Sequence, residues 1–321
     1  MRLNVMIEAQ EGVRYDELLA VARHAEAVGL DGFFRSDHYD ATISEPGRGA
    51  TDAWATLAGI ARETERITVG TLVSPATFRT VGSLAKSVAT VAEMAGSVAG
   101  ASRVELGLGT GWLEREHTQH GFPFEDLATR FRRLEEHLQV VRGLWDREQQ
   151  PFSFDGEFVS LRDAVVAPAP DPRPRIIVGG RGPRRTPALA ARYADELNAI
   201  FPTVAEARER RATLDSVCTE AGRDPGDVAL SVMVMGLVGS TQADVERRAD
   251  RLRAHLGSKR TTGELLERLA EVGVAGTPEQ AAERLGAFAE AGVDRVMLQH
   301  LDPGDLDMLD VVAGEVAPLL D

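Results

Sequence analysis

Apolar positions along the chain switch repeatedly between runs of strand length and stripes at helical spacing. The runs cover residues 3–7, 32–35, 68–73, 104–108, 176–178, 196–200, 229–235 and 295–298. Between them, apolar residues recur at a period near 3.6. Examples are Leu18, Leu19, Ala22, Ala25 and Val28 within 15–28, and Phe131, Leu134, Leu138, Val141 and Leu144 within 126–145. Glu17, Arg23 and Glu26 fall off the first stripe, as the solvent side of an amphipathic helix requires. Strands alternating with helices predict an α/β protein with a parallel sheet, since each right-handed crossover needs a covering helix. Eight such units predict a closed (β/α)8 TIM barrel, with a doubly wound open sheet as the alternative.

Two stretches exceed a plain repeat, and both are expected as insertions in a single domain spanning 1–321. Residues 146–175, after the fourth strand, hold two short alternating runs around Asp155-Gly156, a hairpin signal whose turn is expected to use glycine at positive φ. Prolines from Pro168 to Pro174 then impose an extended connection. Residues 237–291, after the seventh strand, carry about three helical segments broken at 257–263, a candidate lid.

Composition narrows the class. A chain of 321 residues buries roughly 75% of its unfolded surface. A barrel takes about 250 residues, leaving about 70 for insertions. The formal charge of -14 argues against a nucleic-acid binder, which needs a clustered basic surface. The single cysteine, Cys218, forms neither an internal disulfide nor a thiolate cluster, which predicts a reducing, cytoplasmic setting. No run of about 18 apolar residues occurs, so no membrane span is expected.

Chemistry concentrates where the predicted strands end. Val104-Glu-Leu-Gly-Leu-Gly-Thr-Gly-Trp112 passes from strand into alternating glycines, and Gly107, Gly109 and Gly111 are read as leaving room for a bound ring. Gly179, Gly180, Arg181 and Gly182 repeat the arrangement after the fifth strand, where amides and a helix start suit a phosphate. Arg181, Arg184 and Arg185 strengthen the positive field there. Asp37 and His38 end the second strand, at the barrel face that builds active sites. His38 is expected to move a proton and Asp37 to orient a neighbouring donor. Trp54, Trp112 and Phe201 are candidate walls of a substrate pocket. His117 and His120 lie three apart after Glu116 without a third ligand, so no metal is expected. A metal-dependent hydrolase using Asp37, His38 and His300 is the remaining enzymatic alternative of that kind.

Taken in order, Ser36-Asp37-His38, Gly70-Thr-Leu-Val73 with Phe78-Arg79, Gly107–Trp112 with Glu116-His117, Gly179–Gly182, and Ala191–Asp195 with Asn198 resemble the bacterial luciferase-like monooxygenase superfamily, especially its coenzyme F420-dependent oxidoreductases. The resemblance covers nearly the whole chain. It implies a non-prolyl cis bond at Leu72-Val73 behind the cofactor ring. Thr110 and Gly111 would lie near the ribityl or phosphate region, Gly179–Gly182 on the phosphate, and His38 beside ring and substrate. The implied activity is hydride transfer between F420 and a small organic substrate. The alternatives are an FMN-dependent monooxygenase fed by a separate reductase, and a barrel that binds without catalysing. Family resemblance further implies a homodimer. Trp112 stands where the sugar-phosphate dehydrogenases of this family carry an acidic residue, which counts against glucose 6-phosphate as substrate.

Overall fold

The computed structural model of the chain describes residues 1–320. Each apolar run forms a strand: β1 (Arg2–Ile7), β2 (Gly32–Arg35), β3 (Thr68–Thr71), β4 (Val104–Gly109), β5 (Arg175–Gly179), β6 (Glu196–Ile200), β7 (Ala229–Val238) and β8 (Arg295–Gln299). Every neighbouring pair is parallel, and β8 pairs back onto β1 with Arg295 opposite Arg2. Closure rules out the open sheet. The covering helices are α1 (Tyr15–Val28), α2 (Ala53–Glu63), α3 (Val81–Ala95), α4 (Glu114–His120), α5 (Leu127–Trp145), α6 (Arg185–Tyr193), α7 (Val204–Glu220), α8 (Gln242–Leu256), α9 (Thr262–Val272), α10 (Pro278–Glu290) and α11 (Asp307–Val311). Helix α5 starts at 127 because Asp126 caps it, accepting the Ala128 and Thr129 amides.

The period of two along each strand divides the core. One set of side chains, including Val5, Phe33, Val69, Leu106, Val178, Leu197, Val232 and Val296, packs with Leu18, Leu57, Leu84, Leu138, Leu214 and Phe288 of the helices. Burying each large apolar side chain contributes about 1.5 to 3 kcal/mol. The other set fills the lumen in layers. Near the strand starts, Arg295 bridges Glu105 at 2.6 Å and Glu196 at 2.8 Å, all but fully buried. Above it, Met6, Phe34, Leu72, Ile177, Met233 and Met297 form an apolar plug, which Val73, Ile200 and Phe201 join from its partly open side. The charged base is thereby cut off from the mouth.

Additional elements lie between β4 and β5 and between β7 and β8. The hairpin pairs Phe152–Asp155 with Ser160–Ala164, but Gly156 does not adopt positive φ. A Cβ there would stand 2.5 Å from Glu136 Oε2, so a larger residue would displace that carboxylate. The Glu136 carboxylate accepts the amides of Glu157, Phe158 and Val159 and so holds the turn. Left-handed backbone falls instead on Asp163, at φ 47, in the strand that slips register. In the second addition, α8 and α9 share a small core of Leu237, Val245, Ala249, Leu252, Leu265 and Leu269 with Leu301. An unexpected strand, Gly273–Gly276, pairs with Met235–Val238 and extends β7 beyond its predicted end. Arg248 and Arg251 tie α8 to Asp305 and Asp302 in the loop after β8.

The base layer makes a direct prediction. Arg295→Met strands two buried carboxylates and should cost about 3 to 5 kcal/mol in urea denaturation. The triple change Arg295→Met, Glu105→Leu and Glu196→Leu should recover most of that loss, because no unpaired charge remains.

Candidate active site at the barrel mouth

The chain leaves β3 irregularly. After Thr71 the Leu72–Val73 peptide bond is cis, and the backbone rejoins the sheet at Ser74–Pro75 opposite Leu108 and Gly109. This displacement aims Val73 across the mouth. A Cβ on Gly107, Gly109 or Gly179 would approach a Val73 methyl to 2.9, 2.7 and 2.7 Å respectively, and on Gly107 it would also overlap the Thr71 carbonyl. Gly107 and Gly109 therefore make room for Val73 and not for a ring, which corrects their sequence reading. Gly111 alone of that run adopts positive φ, at 75°, and packs against Thr77 and His117.

The His38 ring meets the Glu116 carboxylate through Nδ1, with oxygens at 2.8 and 3.1 Å. Glu116 is fully buried in the first turn of α4 and also accepts the Tyr39 amide at 2.9 Å. Burial alone lowers the pKa of His38, but Glu116, through its hydrogen bond and charge, with Glu8 and Asp37, outweighs it and the net direction is upward. A carboxylate on Nδ1 places the proton there, leaving Nε2 without a partner among the described residues. The Trp112 ring stands edge-on to the imidazole, centroids 5.7 Å apart, and the tryptophan is 61% exposed at the rim.

Asp37 is not the partner of His38. Its carboxylate accepts Arg79 at 2.5 and 3.2 Å and the Ser74 hydroxyl at 2.6 Å, and Arg79 also reaches Asp52. Asp37 is thus a positioning residue that ties the end of β2 to the segment after β3. Trp54 lies behind the same tie, buried, with its indole N–H donating to Ser74 at 3.2 Å, so it supports the mouth without walling it. Burial, with Asp52 and Asp37 adding to it, pushes the Tyr39 phenol up to about 12, which keeps it protonated.

In the second glycine turn, Gly180 donates its amide to Asn198 at 3.2 Å, so it offers no donor to a ligand. The Arg181 and Gly182 amides have no partner among the described residues. Arg210 of α7 donates to both the Arg181 and Gly182 carbonyls at 2.6 Å, which fixes the turn with those amides free. Gly180 and Gly182 are close to the Thr186 hydroxyl, at 3.2 and 2.9 Å from their ideal Cβ positions. Arg181, Arg184 and Arg185 have no carboxylate partner among the described residues. The Arg181 guanidinium lies 5.8 Å from the Phe201 ring, which its residue's φ of 50° turns to the mouth side of the plug.

Leu72, Val73, Thr110, Gly111, Gly179, Arg181, Gly182, Phe201, Trp112 and His38 therefore gather at one end of the barrel. His117 does not prepare a metal site, since its nitrogens meet Thr77 Oγ1 and the Leu113 carbonyl, both at 2.7 Å. No group of three or more His, Cys, Asp or Glu among the described residues is arranged to hold a metal ion. His300 does not join Asp37 and His38. It is buried, held neutral by that burial with its pKa near 4, and faces Asp305, Asp302 and Arg248. Two mouth carboxylates were not assigned a role from sequence. Glu116 stood beside a histidine pair that drew attention to metals. Glu8, just past β1, accepts amide donors from Gln10 at 2.7 Å and Gln299 at 2.5 Å and has no cationic partner among the described residues.

Known proteins agree with this architecture. An F420-dependent glucose-6-phosphate dehydrogenase of Microbacterium testaceum is 32% identical over 216 residues, covering 66% of this chain and 61% of that protein. Its counterpart in Intrasporangium calvum is 27% identical over 94% of each chain. The solved structure of an F420-dependent secondary alcohol dehydrogenase in complex with an F420-acetone adduct superposes with a TM-score of 0.83 at 20% identity, covering 100% of this chain and 99% of the other. The luciferase-like monooxygenase signature matches residues 1–295, and the chain belongs to that family.

Proposed function

We propose that this protein is a coenzyme F420-dependent oxidoreductase that transfers hydride between the deazaflavin and a small organic substrate, with His38 handling the accompanying proton. The observation that carries the reading is the His38–Glu116 pair beside an apolar floor and a phosphate-sized turn. Val73, Ile200 and Phe201 offer that floor to a flat ring. The free Arg181 and Gly182 amides, with three unpaired arginines, suit the phosphate and a longer anionic tail. The relatives and the family fold support the same cofactor.

When bound, the deazaflavin supplies two-electron hydride chemistry and activates oxygen poorly. The chain supplies position, dryness and a proton. Glu116 stabilises the imidazolium, so His38 keeps a proton at Nε2 above the pH at which a free imidazole releases it. That proton goes to a substrate oxygen where negative charge develops, and in the opposite direction neutral Nε2 takes a proton from a hydroxyl. Asp37 and Arg79 hold the strand end that carries His38. Trp112 shields one side of the ring.

Glucose 6-phosphate does not suit this mouth. Glu8 and Glu116 add negative charge near His38, and Trp112 presents an aromatic edge. An uncharged substrate fits better. The family resemblance carries a homodimer with this reading, and the lone buried Cys218 suits a cytoplasmic setting.

His38→Ala should hold F420 affinity within about threefold while lowering turnover by roughly 10² to 10⁴, as measured by fluorescence titration and loss of the deazaflavin's visible absorbance. The opposite pattern would remove His38 from the chemistry. In Glu116→Gln the burial of His38 remains while its counter-charge is lost. Its ring proton resonance should therefore titrate at lower pH than in the parent protein, and the acid-dependent limb of turnover should move the same way. An unchanged midpoint would contradict the pairing.

A further inference from the structure

From the second glycine turn a groove of about 340 Å³ runs down the outside of the barrel between α5 and α6. Phe131, Arg132, Glu135, Arg185, Leu189 and Arg192 line it. It is continuous with the turn, because the Phe131 ring comes within 3.7 Å of an ideal Cβ on Gly182 and Arg185 lies over the same ring at 5.4 Å. Charge is arranged unevenly within it. Arg132 pairs with Glu157 at 2.9 Å and Arg192 with Glu135 at 2.6 Å, whereas Arg185 in the groove and its chain neighbour Arg184 face no carboxylate among the described residues. In a chain of formal charge -14, an unneutralised cationic strip leading away from a phosphate turn needs an occupant.

We propose that this groove is the track for the γ-linked glutamates that follow the phosphate of F420. The inference rests on the F420 reading and extends it beyond the mouth. The dimensions are suitable, since a γ-linked glutamate places five main-chain atoms where an α-linked residue of about 3.3 Å places three, so two or three extended glutamates span a nine-residue helix at about 1.5 Å per residue. The chemistry also matches. Guanidinium forks pair with successive carboxylates, and Arg132 and Arg192 can exchange their present surface partners for the tail at small cost. Phe131 and Leu189 form an apolar base on which the methylene stems of the glutamates pack. FMN, which ends at its phosphate, would leave the groove unused.

The test titrates the purified protein with F420 bearing several glutamates, with F420 bearing one, and with the deazaflavin nucleoside that lacks phosphate and tail, following deazaflavin fluorescence. The many-glutamate form should bind about three- to tenfold tighter than the one-glutamate form at low salt, and the gap should close at high salt. The surface substitutions Arg132→Gln and Arg192→Gln together should abolish the gap while changing one-glutamate binding less than about twofold. Affinity independent of tail length would overturn the groove assignment and leave the F420 reading intact. Equal weakening of the one-glutamate and many-glutamate forms by the double variant would place these arginines on the phosphate and also overturn it. Failure of every form to bind would overturn the F420 reading and the groove with it.

Discussion

The mouth of this barrel is organised by the side chain of Val73. The chain jumps out of the sheet after Thr71 and sends that side chain across the opening, where it packs on Gly107, Gly109 and Gly179 from two other strands. Three separate glycines answer to one valine. A methyl group at any of them would collide with it, so β3, β4 and β5 close only with a bare backbone at those points. The consequence is a shallow apolar floor of Val73, Ile200 and Phe201 lying above the plug. Two turns flank it, one with Gly111 in the left-handed region and one with free amides at Arg181 and Gly182.

Electrostatics then divide the barrel into levels with different tasks. The buried Arg295, Glu105 and Glu196 lie at the closed end, where Arg295, paired with both carboxylates, keeps its charge against burial and holds Glu105 below the usual carboxylate range. The apolar plug lies between this base and the mouth. At the open end, carboxylates outnumber cations around His38, which turns a half-buried imidazole into a better proton holder instead of a neutral ring. His300 shows what burial does when no carboxylate is hydrogen-bonded to the ring, since burial lowers its pKa to about 4 despite Asp305 and Asp302 nearby. A hydrogen-bonded shell of Asp37, Arg79, Ser74 and Trp54 holds the backbone that presents His38, so the imidazole stands at a defined point.

Much of this was legible in the residues, and what was not has a physical cause. The eight strands were readable because both faces of a barrel strand are buried, which writes β-branched and leucine runs into the sequence. That His38, Trp112 and the second glycine turn share one end of the barrel was readable because strand ends in a barrel converge on one face. The partner of His38 was not, because Glu116 lies 78 positions away and only the fold brings it near. The same holds for Arg79 and Asp37, 42 positions apart, so the donor that Asp37 orients could not be named from the residues beside it. Glycine misled in a specific way. Gly107, Gly109 and Gly156 all signal close approach, but the approaching atoms are Val73 and Glu136, which no local pattern reveals.

The claim at the centre is that this floor and these turns hold a deazaflavin. Its most direct test is the comparative affinity of the purified protein for F420 and for FMN, measured side by side by absorbance and fluorescence titration. The account predicts saturable binding of one F420 per chain, tighter than FMN under the same conditions. Tight binding of FMN with no binding of F420 would contradict it.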